Sequence, residues 1–121
     1  MTKPEAFERT VRVYQETFEK YGISDAFENI IGVVVQPGVE FGDMEVFQYD
    51  RTNARYLCDA LKKYDGIVFE GHSTDYQTPD CLRQMVEDGI AILKVGPALT
   101  YGLREGLFAL SLMEKELIDE E

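Results

Sequence analysis

Three short apolar runs, each preceded by a helical pattern, constrain the fold of this chain more than any other feature. Residues 30–35, 67–69 and 90–93 are apolar without alternation and rich in β-branched side chains. Such runs are typical of strands that are buried on both faces, as in parallel sheets. Before each run, apolar residues recur at the three- and four-residue spacing of a helix. The repeated order of helix and strand, closed by a last helix from about Leu99, predicts right-handed crossovers and an all-parallel sheet with helices outside it.

Local signals predict where several helices begin and end. Thr2 and Glu5 have the spacing of a capping box at the start of the first helix. Gly22 is placed to end that helix in the left-handed conformation. Thr78 is the predicted N-cap of the helix before the third strand, and Gly89 its end.

The length of the chain limits how such a sheet can be completed. Three strands in 121 residues leave two apolar edges, which invite self-association. An eight-stranded barrel takes about 250 residues. The sequence therefore predicts an α/β fold with parallel βα repeats: a partial TIM (β/α)8 barrel of three strands and about four helices, forming one domain over residues 1–121. A small three-layer sandwich is the alternative.

Charge and composition exclude several functional classes. The formal net charge of −11 repels phosphate backbones and anionic lipid, which argues against nucleic-acid and membrane partners. No apolar run approaches the roughly 20 residues that span a bilayer. Cys58 and Cys81 lack the spacing of a metal or redox motif, so we expect reduced, largely buried thiols and a cytoplasmic location.

Chemistry in parallel α/β folds gathers in the loops that follow the strands. His72, the only histidine, comes just after the second strand and is a candidate metal ligand or proton carrier. Glu70 lies two residues earlier, on the same side of an extended backbone. Glu70 and Asp75 are therefore candidate catalytic carboxylates, and Ser73 is a candidate pocket residue. The structural alternative is a histidine that bonds Glu70 and merely orders the loop.

The other two loops carry weaker signals. Lys94, Gly96 and Thr100 are candidate phosphate ligands, because the helix that begins at Pro97 is expected to present unbonded N–H groups; a plain helix start is the alternative. Residues 36–43 hold a Pro-Gly turn that would aim two pocket candidates at the strand ends; a simple turn that closes the strand is the favoured alternative. Those candidates are Gln36 and Glu40.

The last helix and its end have structural interpretations. Gly102 and Gly106 lie four residues apart, which in this chain predicts close packing of the helix on the sheet. The acidic residues among positions 114–121 predict a solvated end.

Three blocks of sequence resemble one known family. They are VVVQPGVEF at 33–41, FEGHSTDYQTP at 69–79 and ILKVGPALT at 92–100. These blocks are similar to signature segments of the non-catalytic Z subunit of class II D-tagatose-1,6-bisphosphate aldolase, over about residues 11–117. The resemblance implies a TIM-type barrel that associates with a separate, zinc-dependent catalytic subunit and supports its activity and stability. That partner cleaves tagatose 1,6-bisphosphate, a phosphorylated sugar of galactitol and N-acetylgalactosamine catabolism.

A fainter resemblance reaches the catalytic class II aldolases. His72 and Ser73 stand where those enzymes carry a zinc-binding His-Gly-x-Ser motif, and Lys94 and Gly96 stand near their phosphate loop. Gln36 replaces another zinc-binding histidine. Zn²⁺ is therefore a cofactor only by resemblance, since a single histidine cannot supply three imidazoles.

Three functional hypotheses follow. The chain is an accessory subunit of the aldolase, a metal-assisted lyase that uses His72 and Glu70, or a fragment without independent activity, because family members are much longer. Related proteins have also been called tagatose-6-phosphate kinases. The sequence contains no glycine-rich loop followed by Lys and Ser or Thr, so we discount that activity.

Overall fold

The computed structural model describes residues 1–118 and confirms the predicted order of helices and strands. An N-terminal helix is followed by a 3₁₀ turn at Ser24–Asn29, and three further α-helices alternate with the strands of the sheet. The helices are α1 (Pro4–Lys20), α2 (Arg51–Leu61), α3 (Pro79–Glu87) and α4 (Pro97–Leu117). The strands are β1 (Gly32–Val35), β2 (Glu40–Phe41), β3 (Val46–Phe47), β4 (Val68–Gly71) and β5 (Ile92–Leu93).

The main sheet is parallel, as the alternation predicts. Its three strands lie in the order β1-β4-β5, with Val34 opposite Glu70 and Glu70 opposite Ile92. The short β2–β3 hairpin, which pairs antiparallel between β1 and α2, has no counterpart in the sequence-based prediction. Each of its strands has only two residues, too few to produce a periodic pattern.

The core lies between the sheet and the first three helices. Phe7 of α1 meets Phe69 of β4 edge to face, with ring centroids 4.9 Å apart. Leu57 of α2 and Met85 of α3 belong to the same cluster, and all four side chains are at most 1% exposed. Burying each such side chain contributes about 2 kcal/mol, so this layer holds the parallel strands together.

Within residues 1–118 the opposite face of the sheet is uncovered, which corrects the prediction that the strands are buried on both faces. Val34 is 53% exposed and Ile92 36% exposed, and both share a row of the sheet with Glu70. Among the described residues, the helices that pack on the sheet lie on its other side. The continuous apolar runs therefore predict the strands correctly but not their burial within residues 1–118.

Three helix-end signals are confirmed and one is wrong. Gly89 has a φ of 93° just after α3, as predicted for the end of that helix. Gly22 has a φ of 69° at the end of α1, and the Thr78 hydroxyl accepts a hydrogen bond from the third residue of α3. Thr2 does not cap α1, because Lys3 holds the N-cap position without a side-chain bond. Instead, the Thr2 hydroxyl accepts from the backbone N–H of Gln36, and the Thr2 N–H donates to the Gln36 carbonyl, both at 2.8 Å. This pair fastens the N-terminus to the end of β1.

Helix α4 forms where predicted but does not pack on the sheet. None of its residues is buried, and a Cβ built at Gly102 or Gly106 meets no atom within 4 Å. The prediction of close packing at these glycines is therefore wrong for the described residues. Residues 119–121 of the predicted acidic end lie outside the part of the chain that the structure describes.

Two further predictions can be compared with the structure. Both cysteines are free, with Cys58 buried and Cys81 half-buried, and burial raises the pKa of the Cys58 thiol. Within residues 1–118, no helix combines the length and apolar character needed to cross a lipid bilayer.

Candidate functional site

The loops after β4 and β5 meet at the carboxyl ends of the strands and form a small open pocket. Five of the nine predicted site residues line it. They are His72, Ser73, Asp75, Lys94 and Gly96, joined by Phe41, Val95 and Pro97. The rule that parallel strands gather their loops at one edge therefore brings these candidates together.

Glu70 and His72 form a side-chain pair beside this pocket. Glu70 Oε1 lies 2.9 Å from His72 Nε2, and the two side chains are 31% and 26% exposed. The His72 N–H donates to the Val35 carbonyl at 3.2 Å, which ties the loop to β1. When Nε2 carries the proton it donates to Glu70, and Nδ1 then remains an acceptor. The contact fits both alternatives from the sequence, an ordered loop and a proton-transferring pair.

Asp75 joins the loop after β4 to the start of α4. Its side chain is buried, and its Oδ1 accepts hydrogen bonds from the N–H groups of Gly96 at 2.9 Å and Ala98 at 3.0 Å. The prediction that this helix start presents unbonded N–H groups is therefore wrong. A carboxylate already lies where the helix dipole favours an anion. Phosphate binding by Lys94, Gly96 and Thr100 stays a prediction, and phosphate would have to compete with Asp75.

A second bond holds the same two loops together. The buried Thr74 hydroxyl donates to the Lys94 carbonyl at 2.8 Å. Together with the Asp75 bonds, it fixes the backbone of both loops, while the Lys94 side chain stays exposed. The two loops that line the pocket are thus bonded to each other by buried side chains.

The backbone of the loop after β4 is strained at two positions. Ser73 has a φ of 58° and Tyr76 a φ of 62°, which is unfavourable for a residue other than glycine. Such residues cost about 1–3 kcal/mol each and cluster at functional sites. The Tyr76 ring packs edge to face on Phe41, with centroids 5.4 Å apart.

Sequence reasoning missed Phe41 and Tyr76 as part of this site. Their rings form an aromatic wall, and Phe41 also lines the pocket. Phe41 lies on the hairpin that the sequence did not predict. Tyr76 lies in a loop where only the polar residues were site candidates. Their contact depends on where the hairpin lies relative to the loop after β4. No local pattern could have paired them.

Three predicted residues stand apart from the pocket. Gln36 is exposed, and its backbone pairs with Thr2. Glu40 is exposed and accepts a bond from the N–H of its neighbour Phe41 at 3.1 Å. Thr100 is exposed in the first turn of α4. None of the three lines the pocket with His72.

The described residues, 1–118, do not form a complete zinc site. Across residues 1–118, no group of three His, Cys, Asp or Glu side chains is placed to hold a metal ion. Glu70 and His72 supply two donors, and Asp75 is bonded to α4. A catalytic zinc needs three protein ligands and an open position, so we derive no metal-dependent step from this chain.

A second polar cluster, away from the pocket, links α2 to α3. The buried Tyr49 hydroxyl donates to Asp88 Oδ2 at 2.9 Å, and Arg51 Nη2 bonds Asp88 Oδ1 at 2.8 Å. The Arg51 guanidinium holds the pKa of Asp88 below its usual range, while burial and the bond to Asp88 raise the pKa of Tyr49. Each of these three side chains bonds to another of the three, which indicates a structural role.

Comparison with known proteins assigns the family. The family described as D-tagatose-1,6-bisphosphate aldolase subunit GatZ/KbaZ-like matches residues 1–121. The crystal structure of a probable tagatose 6 phosphate kinase from Sinorhizobium meliloti 1021 shares 54% identity with this chain at a TM-score of 0.90. The match covers 97% of this chain and 30% of that protein, so the chain spans under a third of its length. Because the family match extends over every residue, the chain belongs to the D-tagatose-1,6-bisphosphate aldolase subunit GatZ/KbaZ-like family.

Proposed function

We propose that this chain is an accessory, non-catalytic component of a tagatose-bisphosphate aldolase. In this role it supports the activity and stability of a separate catalytic subunit in the cytoplasmic catabolism of galactitol, N-acetylgalactosamine and tagatose. The family assignment supports the aldolase part of the proposal. The composition of the pocket supports the non-catalytic part.

The incomplete set of catalytic groups carries the proposal. Retro-aldol cleavage by a class II enzyme needs a metal to stabilise the enediolate and a base to take the hydroxyl proton. Glu70 and His72 are partners of each other at 2.9 Å, and one oxygen of Asp75 binds two backbone N–H groups. A pocket with these groups can bind and orient, but it lacks a metal-binding triad among the described residues.

The architecture is part of the same proposal. We take the three parallel strands and their helices as a single partial-barrel domain, a segment of a (β/α)8 barrel. The helices that pack on the sheet lie on one face, and Val34 and Ile92 are exposed on the other, as expected if the uncovered face turned toward a barrel interior. The exposed apolar surface also supports self-association of the chain.

The test is reconstitution with a catalytic tagatose-bisphosphate aldolase subunit. We expect addition of the purified chain to raise the aldolase rate, or the half-life of activity at assay temperature, several-fold. His72→Gln should keep that effect, because an accessory role does not depend on the Glu70–His72 pair and the substitution leaves the packed core intact. Glu45→Gln on the exposed hairpin is the matched control for a polar substitution outside the pocket. No change in rate or half-life on adding the chain would refute the accessory role.

A metal-dependent sugar-bisphosphate aldolase acting alone is the second candidate. The Glu70–His72 pair beside two strained backbone positions favours it. It predicts zinc-stimulated cleavage of tagatose 1,6-bisphosphate by the chain alone, abolished in His72→Ala. Absence of cleavage with added zinc would rule out this candidate. A fragment without activity is the remaining outcome, and a melt without cooperative unfolding would favour it.

A further inference from the structure

The loop that follows β4 concentrates the buried polar side chains of the protein. Thr74, Asp75 and Gln77 are each at most 8% exposed, and apart from Tyr49 no other side chain with a charge, an amide or a hydroxyl is buried among the described residues. Thr74 and Asp75 bond the backbone at and just before the start of α4. Gln77 instead bonds the backbone where the hairpin leads into α2. Because buried polar groups are costly unless they are bonded, this loop is held from two sides.

The Gln77 amide is the main polar connection between this loop and the hairpin. Its Oε1 accepts from the Tyr49 N–H at 2.9 Å, and its Nε2 donates to the Phe47 carbonyl at 2.9 Å. The exposed Gln48 side chain returns two longer bonds, of 3.2 and 3.4 Å, to the backbone on either side of Gln77. Bonds that are buried and short hold their partners more firmly than exposed, long ones. Gln77 therefore fixes this end of the loop.

Tyr76 lies between the two anchored residues in an unfavourable backbone conformation. Its φ of 62° falls in the left-handed region, which a tyrosine rarely adopts. The cost of such a conformation corresponds to about a fivefold or greater preference for the relaxed form, so it persists only where the surrounding structure holds it. Here Asp75 is bonded on one side and Gln77 on the other. Loss of one anchor allows Tyr76 to relax, and this relaxation rotates the backbone next to the other anchor.

We propose that Gln77 is a positioning residue for the pocket, because by holding Tyr76 at positive φ it keeps the Asp75 carboxylate on the N–H groups at the start of α4. The hairpin and α4 each contribute a residue to the pocket, Phe41 and Pro97. These two parts of the pocket are therefore coupled, and a change at the hairpin alters the start of α4. The inference concerns the pocket of the proposed function but does not depend on its aldolase role.

Amide hydrogen exchange of Gln77→Ala tests this coupling. Gln77 makes no bond to Gly96 or Ala98, so a purely local role predicts faster exchange only at its own partner, the Tyr49 N–H. We expect exchange at Gly96 and Ala98 to rise about fivefold or more as well, because relaxation of the strained residue withdraws the carboxylate that these N–H groups bond. Exchange there that stays within about twofold of wild type would overturn the proposal.

A core substitution controls for a general loss of stability. Ile67→Val removes one buried methylene at the opposite end of β4, and Ile67 makes no contact with the bonds of Gln77. It destabilises the whole domain but should leave exchange at Gly96 and Ala98 within about twofold of wild type, since these exposed ends open locally. A rise in Ile67→Val equal to that in Gln77→Ala would also contradict the coupling.

Two substitutions at Tyr76 test the mechanism without changing Gln77. Tyr76→Gly and Tyr76→Ala both remove the ring that packs on Phe41, but only glycine adopts positive φ without cost. We expect exchange at Gly96 and Ala98 to be at least about threefold slower in Tyr76→Gly than in Tyr76→Ala. Equal exchange in these two variants, both shown to be folded by circular dichroism, would refute the role of strain. Aldolase rates are not involved, so a failure here is distinct from a failure of reconstitution.

Discussion

Asp75 makes the most specific prediction about how the site is held together. Its carboxylate accepts from two N–H groups at the start of α4, and α4 itself has no buried residue. We therefore expect Asp75→Ala to release the first turn of the helix and the loop around Gly96. Asp75→Asn keeps one acceptor oxygen but loses the charge, so it should restore part of the connection.

The expected magnitude follows from the two bonds. Each bond joins the buried carboxylate to an N–H at the exposed start of α4, where water can bond an N–H group that loses its acceptor, so each contributes about 1 kcal/mol. Asp75→Ala should lower the free energy of unfolding by about 2 kcal/mol and Asp75→Asn by about half of that. In a domain of this size, 2 kcal/mol corresponds to a fall in Tm of about 8 °C.

Two measurements check this prediction. Chemical denaturation gives the change in unfolding free energy, with Asp43→Ala in the exposed hairpin as the control for loss of an acidic residue. Amide hydrogen exchange reports the local effect, and in Asp75→Ala the N–H groups of Gly96, Ala98 and the first turn of α4 should lose protection, while those of the core should not. If Asp75→Ala and Asp43→Ala differ by less than about 0.5 kcal/mol, and exchange at Gly96 is unchanged, the assigned role of Asp75 is wrong.

Two further predictions concern the contacts between α2, α3 and the sheet. Because Arg51 lowers the pKa of Asp88 in the folded state, Asp88 contributes stability above its unfolded pKa of about 3.9 and loses it as the pH falls further. At neutral pH the free energy of unfolding of wild type should exceed that of Asp88→Asn by about 1 kcal/mol, after solvent screening. This difference, measured by urea denaturation, should vanish in acid. A difference that stays constant with pH would contradict the prediction. Gly89→Ala should destabilise more than Gly66→Ala: both glycines have positive φ, but only at Gly89 does a new Cβ come within 2.6 Å of the Leu61 side chain. Equal decreases in Tm for the two variants would show that backbone strain at positive φ, and not the contact with Leu61, causes the loss of stability.

The structure also changes how the predicted anion site is understood. A glycine followed by a helix start is a common place for phosphate, and residues 94–100 have that form. In this chain the buried carboxylate of Asp75 already satisfies the two N–H groups of Gly96 and Ala98. The same sequence signal therefore produces a bond within the chain, which stabilises the pocket.

The order of elements was predictable because its signals are local. The apolar runs and the helical spacing between them imply parallel strands joined by helices, and the structure has these strands in one parallel sheet. Gly22 and Thr78 mark helix ends through the conformation or hydrogen bonding of a few adjacent residues. The grouping of His72 with Lys94 follows from the same rule, since parallel strands bring their loops to one edge.

Which of these residues bond each other, and which surfaces stay exposed, is determined only by the tertiary structure. The Asp75 bonds join residues 21 and 23 positions apart, and the Phe41–Tyr76 contact requires a hairpin that no periodic pattern marks. Apolar strands and an apolar α4 indicate surfaces suited to burial, but the hydrophobic effect is not directional. The apolar pattern therefore does not determine whether the element that covers such a surface belongs to the same chain or to another. Only the packed arrangement of the atoms distinguishes the covered face of the sheet from the exposed one.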